Sequence, residues 1–209
     1  MKVIVFGSTG TVGRLAAQDL LNAGYEVTAF ARKPDALKIE DPKLHRIAGD
    51  ALNAQQVAEA VKGHDAVVVA LGAGKSRSSV IRSQGTLNVI NAMQAHGVKR
   101  LICQSTLGAH ESWSNLNFFW KRIMFGALLK PVFKDHELQE QLVRASGLDW
   151  TLVRPSAFTD GSATGRYKEN FPPTERNLSL KISRADIAAF LAKQVEDLSY
   201  ITRAVAISN

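Results

Sequence analysis

Short apolar runs alternate along the chain with longer stretches whose apolar positions recur at helical spacing. The runs are rich in β-branched residues and predict strands near residues 2–6, 26–31, 44–48, 65–70, 99–104 and 150–154. The longer stretches predict helices near residues 11–23, 54–62, 79–96, 133–146 and 184–196. Strand and helix alternating in this way imply an α/β fold with a parallel, doubly wound sheet. Residues 66–71, AVVVAL, are apolar throughout, as a central strand covered on both faces requires. Residues 108–134 form an insertion between strand and helix that is longer than most such connections, which suits either a lid over a substrate or, through its aromatics and Met124-Phe125, an oligomer contact.

No Pro/Gly/Ser-rich linker interrupts the pattern, so residues 1–209 read as a single domain. Hydrophobic residues make up 45% of the chain, enough for a substantial core and too many for disorder. The single cysteine, Cys103, excludes an internal disulfide and sits in an apolar run, where it reads as a small buried hydrophobe. No secretory core or membrane-length apolar run is present, so a cytoplasmic setting is expected. The net charge of +7 favours anionic partners. Its basic residues are dispersed and accompany no nucleic-acid module, so a polyanionic cofactor and an acidic small molecule are expected in place of nucleic acid.

The most specific motif is Gly7-Ser8-Thr9-Gly10-Thr11-Val12-Gly13, set between the first strand and the first helix. Gly7 suits the tight turn, Gly10 lets backbone approach a pyrophosphate, and Gly13 lets the helix pack against its strand. The helix N-terminus then offers N–H groups to the anion, so this is a dinucleotide cradle of Rossmann type, with Thr9, Thr11 and Val12 beside the ligand. After the second strand the chain carries Arg32 and Lys33 where an acid would hold the ribose of NAD. Two cations attract a 2′-phosphate, so NADPH/NADP is the expected cofactor. Asp50 and Ala51 end the third strand, and Leu71 and Gly72 end the fourth, on the edge where such a ligand lies. Asp50 either accepts from the adenine amino group or closes a turn while Asn53 caps the next helix. Lys121, Arg122, Lys130 and Lys134 lie among Trp113, Phe118, Phe119, Trp120 and Phe125. This concentration either stacks a flat anionic ligand or packs as a helix with a solvated basic face.

GSTGTVG, the ARKP turn, GDALN, VVVALG, LICQSTL and SGLDWTLVRP together resemble the atypical short-chain dehydrogenase/reductase superfamily in its NmrA-like branch, across essentially the whole chain. KGHDAVVVALG, AMQAHGV, KDHELQEQLVRASGL and RPSAFTDGSATGRY make it most similar to the flavin reductase/biliverdin-IX-beta reductase group. The resemblance places the active-site serine at Ser105, with Thr106 beside it, and brings the loop of Pro155 and Ser156 over the nicotinamide half of the cofactor.

Many family reductases use Tyr-x-x-x-Lys as the proton-donating pair, whereas Val132 and His136 stand in those places here. Without the phenol, alcohol–ketone chemistry lacks its acid. Hydride delivery to a conjugated ring survives the loss, because the ring spreads the charge and solvent supplies the proton. Ser105, Thr106 and His136 are therefore the candidate catalytic residues, and Trp113, Trp120, Lys121 and Arg122 the candidate substrate contacts; no metal is expected. The resemblance implies an NADPH-dependent reductase of a planar acceptor, a flavin or a bilin, acting as a monomer or weak homo-oligomer. The alternative is an NADP(H)-binding sensor or assembly factor without turnover.

Overall fold

The computed structural model describes residues 1–74, 76 and 79–209. Ten strands, β1 (Lys2–Phe6), β2 (Glu26–Ala31), β3 (Leu44–Ala48), β4 (Ala66–Val69), β5 (Arg100–Gln104), β6 (Asp149–Pro155), β7 (Ala157–Thr159), β8 (Lys168–Glu169), β9 (Lys181–Ser183) and β10 (Arg203–Ser208), are described. Five α-helices accompany them: α1 (Gly13–Asn22), α2 (Ala54–Val61), α3 (Ile81–His96), α4 (Lys130–Arg144) and α5 (Arg184–Lys193). The main sheet runs β3-β2-β1-β4-β5-β6-β10-β8, parallel except for the antiparallel edge strand β8. β7 and β9 form a separate parallel pair.

Alternation along the strands builds two cores, as expected of a doubly wound α/β sheet. Val3 and Val5 of β1, with Val68 of β4, face Ala16, Leu20 and Phe190 on α1 and α5. Ile4, Phe6 and Val69 face the opposite way, onto α2, α3 and α4 through Val57, Met93 and Val143. Both faces are dry, so the central strands carry no polar alternation. Cys103 lies in the second core, fully buried, and burial pushes its thiol pKa up and away from reactivity.

The six strands predicted from apolar runs are all present, with β4 shorter at each end. β7 to β10 were not predicted, although β10 pairs along its length with β6. The helix predicted from residue 133 begins at Lys130. Before it, Phe119–Leu128 winds as a π-helix, closed by Leu129 N donating to Met124 O at 2.7 Å. This segment and the 3₁₀ turn His110–Asn115 roof a third, smaller core of Leu107, Leu116, Phe125, Phe133 and Leu180. The rings of Phe125 and Phe133 stack at 4.6 Å.

Candidate functional site: a dinucleotide cleft with an apolar side pocket

A cleft of about 730 Å³ lies at the carboxyl edge of the central strands. The β1–α1 turn forms one wall. Gly7 has φ +83°, and a Cβ there would run into the Ala70 carbonyl, so only glycine fits. A Cβ on Gly13 would strike Gly7 O, which explains how α1 starts so close to β1. No side chain caps α1, which leaves its first N–H groups for a bound anion.

Arg32, exposed after β2, lines the same cleft, as do Asp50 and Ala51 after β3 and Leu71 and Gly72 after β4. Asp50 Oδ1 accepts from Leu52 N at 3.0 Å, so one oxygen closes the turn. Asn53 caps α2, accepting from Gln56 N at 3.1 Å. Gln104 Oε1 and Arg82 Nη1 are buried on the cleft without a hydrogen-bond partner among the described residues. Unmet polar atoms beside a glycine cradle and an uncapped helix fit a dinucleotide, whose own polar groups would satisfy them.

Ser105 and His136 close the far end. The Ser105 hydroxyl is buried and donates to Glu140 Oε1 at 2.6 Å. Its proton is thereby committed, so Ser105 offers lone pairs to a ligand amide and no proton to an acceptor. Arg154 Nε donates to Glu140 Oε1 at 2.8 Å, and Arg154 Nη1 lies 2.9 Å from Glu111 Oε1. Burial pushes the Glu111 carboxyl up, but the hydrogen bonds from Arg154 and its own backbone N–H and the charges of Arg154 and Arg144 together outweigh it and hold the pKa at about 2.

His136 is buried, with Nδ1 3.2 Å from Gln139 Oε1. Gln139 Nε2 donates to Thr86 Oγ1 at 3.0 Å, which turns its oxygen toward the ring and assigns the imidazole proton to Nδ1. Burial first, and the Arg82 charge second, lower the His136 pKa to about 3. The ring is neutral near pH 7, and Nε2 is a hydrogen-bond acceptor. Arg82 itself is anchored by Asp135, 3.7 Å away. Asp135 also accepts from Arg82 N at 3.1 Å and Ser83 N at 3.0 Å, capping α3 from α4.

A second cavity of about 220 Å³ adjoins the cleft and shares Thr106, His136 and Phe158 with it. Its walls are mainly Leu107, Leu116, Trp120, Phe125 and Leu129, with Ser156 and Thr106 as its hydroxyls. None of its described lining residues is charged near pH 7.

The structure therefore gathers Gly7, Thr9, Gly10, Thr11, Val12, Arg32, Asp50, Ala51, Leu71, Gly72, Ser105, Thr106 and His136 around one cleft. Gly13 and Lys33 do not line it, Gly13 acting through packing. Pro155 and Ser156 line the side pocket instead of the cofactor cleft. Of the four substrate candidates, Trp120 alone lines that pocket. Trp113 packs on Phe133 at 5.3 Å, and Lys121 and Arg122 line neither space, a correction caused by the π-helix turning Trp120 and Phe125 inward. Sequence reasoning missed Arg82, Gln104 and Glu140. A signal existed only for the last, since Arg154 inside a buried strand demands a partner.

The chain matches the family described as NAD(P)H-binding over residues 7–198. YhfK of Bacillus subtilis, described as an uncharacterized sugar epimerase, is 27% identical over 98% of this chain and 92% of its own. Photosystem II assembly factor Ycf39 of Synechocystis is 25% identical over 94% of this chain and 59% of its own. Among solved structures, the anaerobilin reductase ChuY from Escherichia coli O157:H7 superposes with a TM-score of 0.82, at 23% identity, over 99% of this chain and 96% of its own. A wide-type short-chain dehydrogenase/reductase from Veillonella parvula, solved with NADP, gives 0.80 at 16% identity, over 100% of this chain and 94% of its own. A glycine cradle at the head of the sheet, an uncapped helix behind it and a family match across nearly the whole length lead to one conclusion: the chain belongs to the NAD(P)H-binding family of Rossmann-fold proteins.

Proposed function

We propose that the protein is an NADPH-dependent reductase of a planar conjugated acceptor, a flavin or a linear tetrapyrrole such as biliverdin, acting in the cytoplasm. The observation that carries this reading is the side pocket, which adjoins the dinucleotide cleft at His136 and Thr106 and has no tyrosine or carboxylate among its described lining residues. When bound, NADPH supplies a hydride, and the acceptor gains two electrons and two hydrogens once solvent adds a proton. Gly7, Gly10 and the start of α1 seat the phosphates, and Arg32 selects the 2′-phosphate. Ser105, its proton held by Glu140, accepts from the nicotinamide amide. His136 stays neutral and accepts a hydrogen bond through Nε2. None of the three tyrosines lines either space, which counts against an alcohol–ketone or epimerase reaction. The reductase neighbour ChuY supports the same direction.

The likeness to Ycf39 favours a second reading, an NADP(H)-binding assembly factor or sensor without turnover. NADPH oxidation measured with FMN, riboflavin and biliverdin separates the two. Turnover with any of them supports the reductase; NADPH binding with no turnover on the whole panel supports the second reading.

A further inference from the structure

Building on the reductase reading, we infer that the side pocket selects an uncharged ring bearing a carbonyl, with Ser156 as the donor that reads that oxygen, while ionised substituents of the acceptor remain outside. At about 220 Å³ the pocket is smaller than the ~300–1,000 Å³ typical of sites that enclose a drug-sized ligand. It takes one end of a large acceptor or the whole of a small one. No charged side chain among its described lining residues meets that end. Lys121 and Arg122 line neither space, and Arg82 lines only the cleft. A carboxylate or phosphate driven into the pocket would lose its hydration and find no cation, whereas a ring carbonyl needs a single hydrogen bond.

Ser156 supplies it. Its residue is 6% exposed, and its Oγ is buried with no hydrogen-bond partner among the described residues. Its backbone N–H is spent on Ile207 O at 3.1 Å, fixing the residue in place. Thr106, the other hydroxyl on the pocket, already donates to Leu107 O at 3.3 Å. A buried hydroxyl left without an acceptor is uncommon, and here it belongs to a residue on the pocket wall. The same arrangement ranks the two proposed acceptor classes. An isoalloxazine ring is uncharged along its edges and carries carbonyls, with the FMN phosphate on a tail that stays in open solvent. Biliverdin carries its ionised propionates beside the central bridge, so that bridge cannot enter without them.

The test reads binding to the NADP⁺-saturated protein through quenching of tryptophan fluorescence, with Trp120→Phe identifying the reporter on the pocket wall. The probes are menadione, an anionic naphthoquinone sulfonate and the carbonyl-free 2-methylnaphthalene. Menadione should bind at least about tenfold tighter than the sulfonate. Ser156→Ala should weaken menadione about fivefold to tenfold and leave 2-methylnaphthalene unchanged, and Ser156→Thr should recover most of the loss. Sulfonate binding as tight as menadione, or equal losses for the carbonyl and carbonyl-free probes, would overturn the inference. Absence of turnover with every acceptor, with this binding pattern intact, would sink the reductase reading and leave the pocket's selectivity standing. Turnover that favours acceptors bearing the charge on the ring itself, such as the naphthoquinone sulfonate over menadione, would do the reverse.

Discussion

Arg154 and Glu140 hold each other in the wall behind Ser105: Arg154 Nε meets Glu140 Oε1 at 2.8 Å, Nη2 meets Oε2 at 2.5 Å, and neither side chain is more than 2% exposed. The forked contact fixes the carboxylate that receives the Ser105 proton, so a buried ion pair sets the hydrogen-bonding character of a cleft residue. Removing Glu140 leaves the Arg154 charge in a dry interior with only the half-exposed Glu111 to meet it. Glu140→Leu should cost about 3–5 kcal/mol in denaturant unfolding, and adding Arg154→Met should restore much of it. Equal losses in the single and double variants would show that the pair does not act as a unit.

His136 makes stability depend on pH in a known direction. Its folded pKa, about 3, lies below the ordinary 6.5, so between those values the unfolded chain binds the proton and the folded chain does not. Stability from this residue is complete above about pH 6.5 and is lost as pH falls toward 3. Urea titrations of wild type and His136→Asn across that window should diverge at neutral pH and converge on acidification. Parallel curves would mean that His136 is protonated in the fold.

The same neutrality removes His136 as a proton donor. Flavin reduction by His136→Ala should retain its rate within about tenfold, with the larger change in nicotinamide binding. A loss of several orders of magnitude with NADPH affinity intact would make the imidazole an essential acid.

Arg32 is the described cation beside the β2 end that lines the cleft. Arg32→Ala should weaken NADPH by about 1–3 kcal/mol and leave NADH nearly unaffected, read by isothermal titration. Lys33→Ala should do little to either, because Lys33 does not line the cleft. Equal losses of both cofactors in the Arg32 variant would show that it does not read the 2′-phosphate.

Lys121 and Arg122 have the opposite expectation from the one their spacing among aromatics suggests. Lys121 Nζ lies 3.5 Å from Ser114 O, and neither cation lines the cleft or the pocket. Lys121→Ala with Arg122→Ala should change the Michaelis constants of FMN and lumiflavin by less than about twofold. A salt-sensitive penalty confined to FMN would bring the π-helix back over the acceptor.

The legible parts of this chain are those whose chemistry is local. Residues 66–71 announce a central strand because every position is apolar, and Gly7 announces a turn because its neighbours on either side are a strand and a helix. β10 escaped because it mixes small residues with Arg203 and Ser208, and only its pairing with β6 makes it a buried strand. Arg82 and Asp135 are 53 residues apart, and Ser156 became informative only when its hydroxyl proved to have no partner among the described residues. The cation-rich insertion left two readings open, and the sequence held no signal to choose the helix with a basic face, because a π-helix does not present side chains at the usual 3.6-residue spacing.

The borrowed cap on α3 has a consequence for how the molecule opens. The N–H groups of Arg82 and Ser83 are held by Asp135, a residue of α4 that directly precedes His136. Their amide protons exchange with solvent only after these bonds to Asp135 break, which couples the opening of this end of α3 to its contact with α4. A fluctuation of α4 that uncovers the side pocket would therefore also loosen Arg82 on the dinucleotide cleft, so the two spaces are expected to open together.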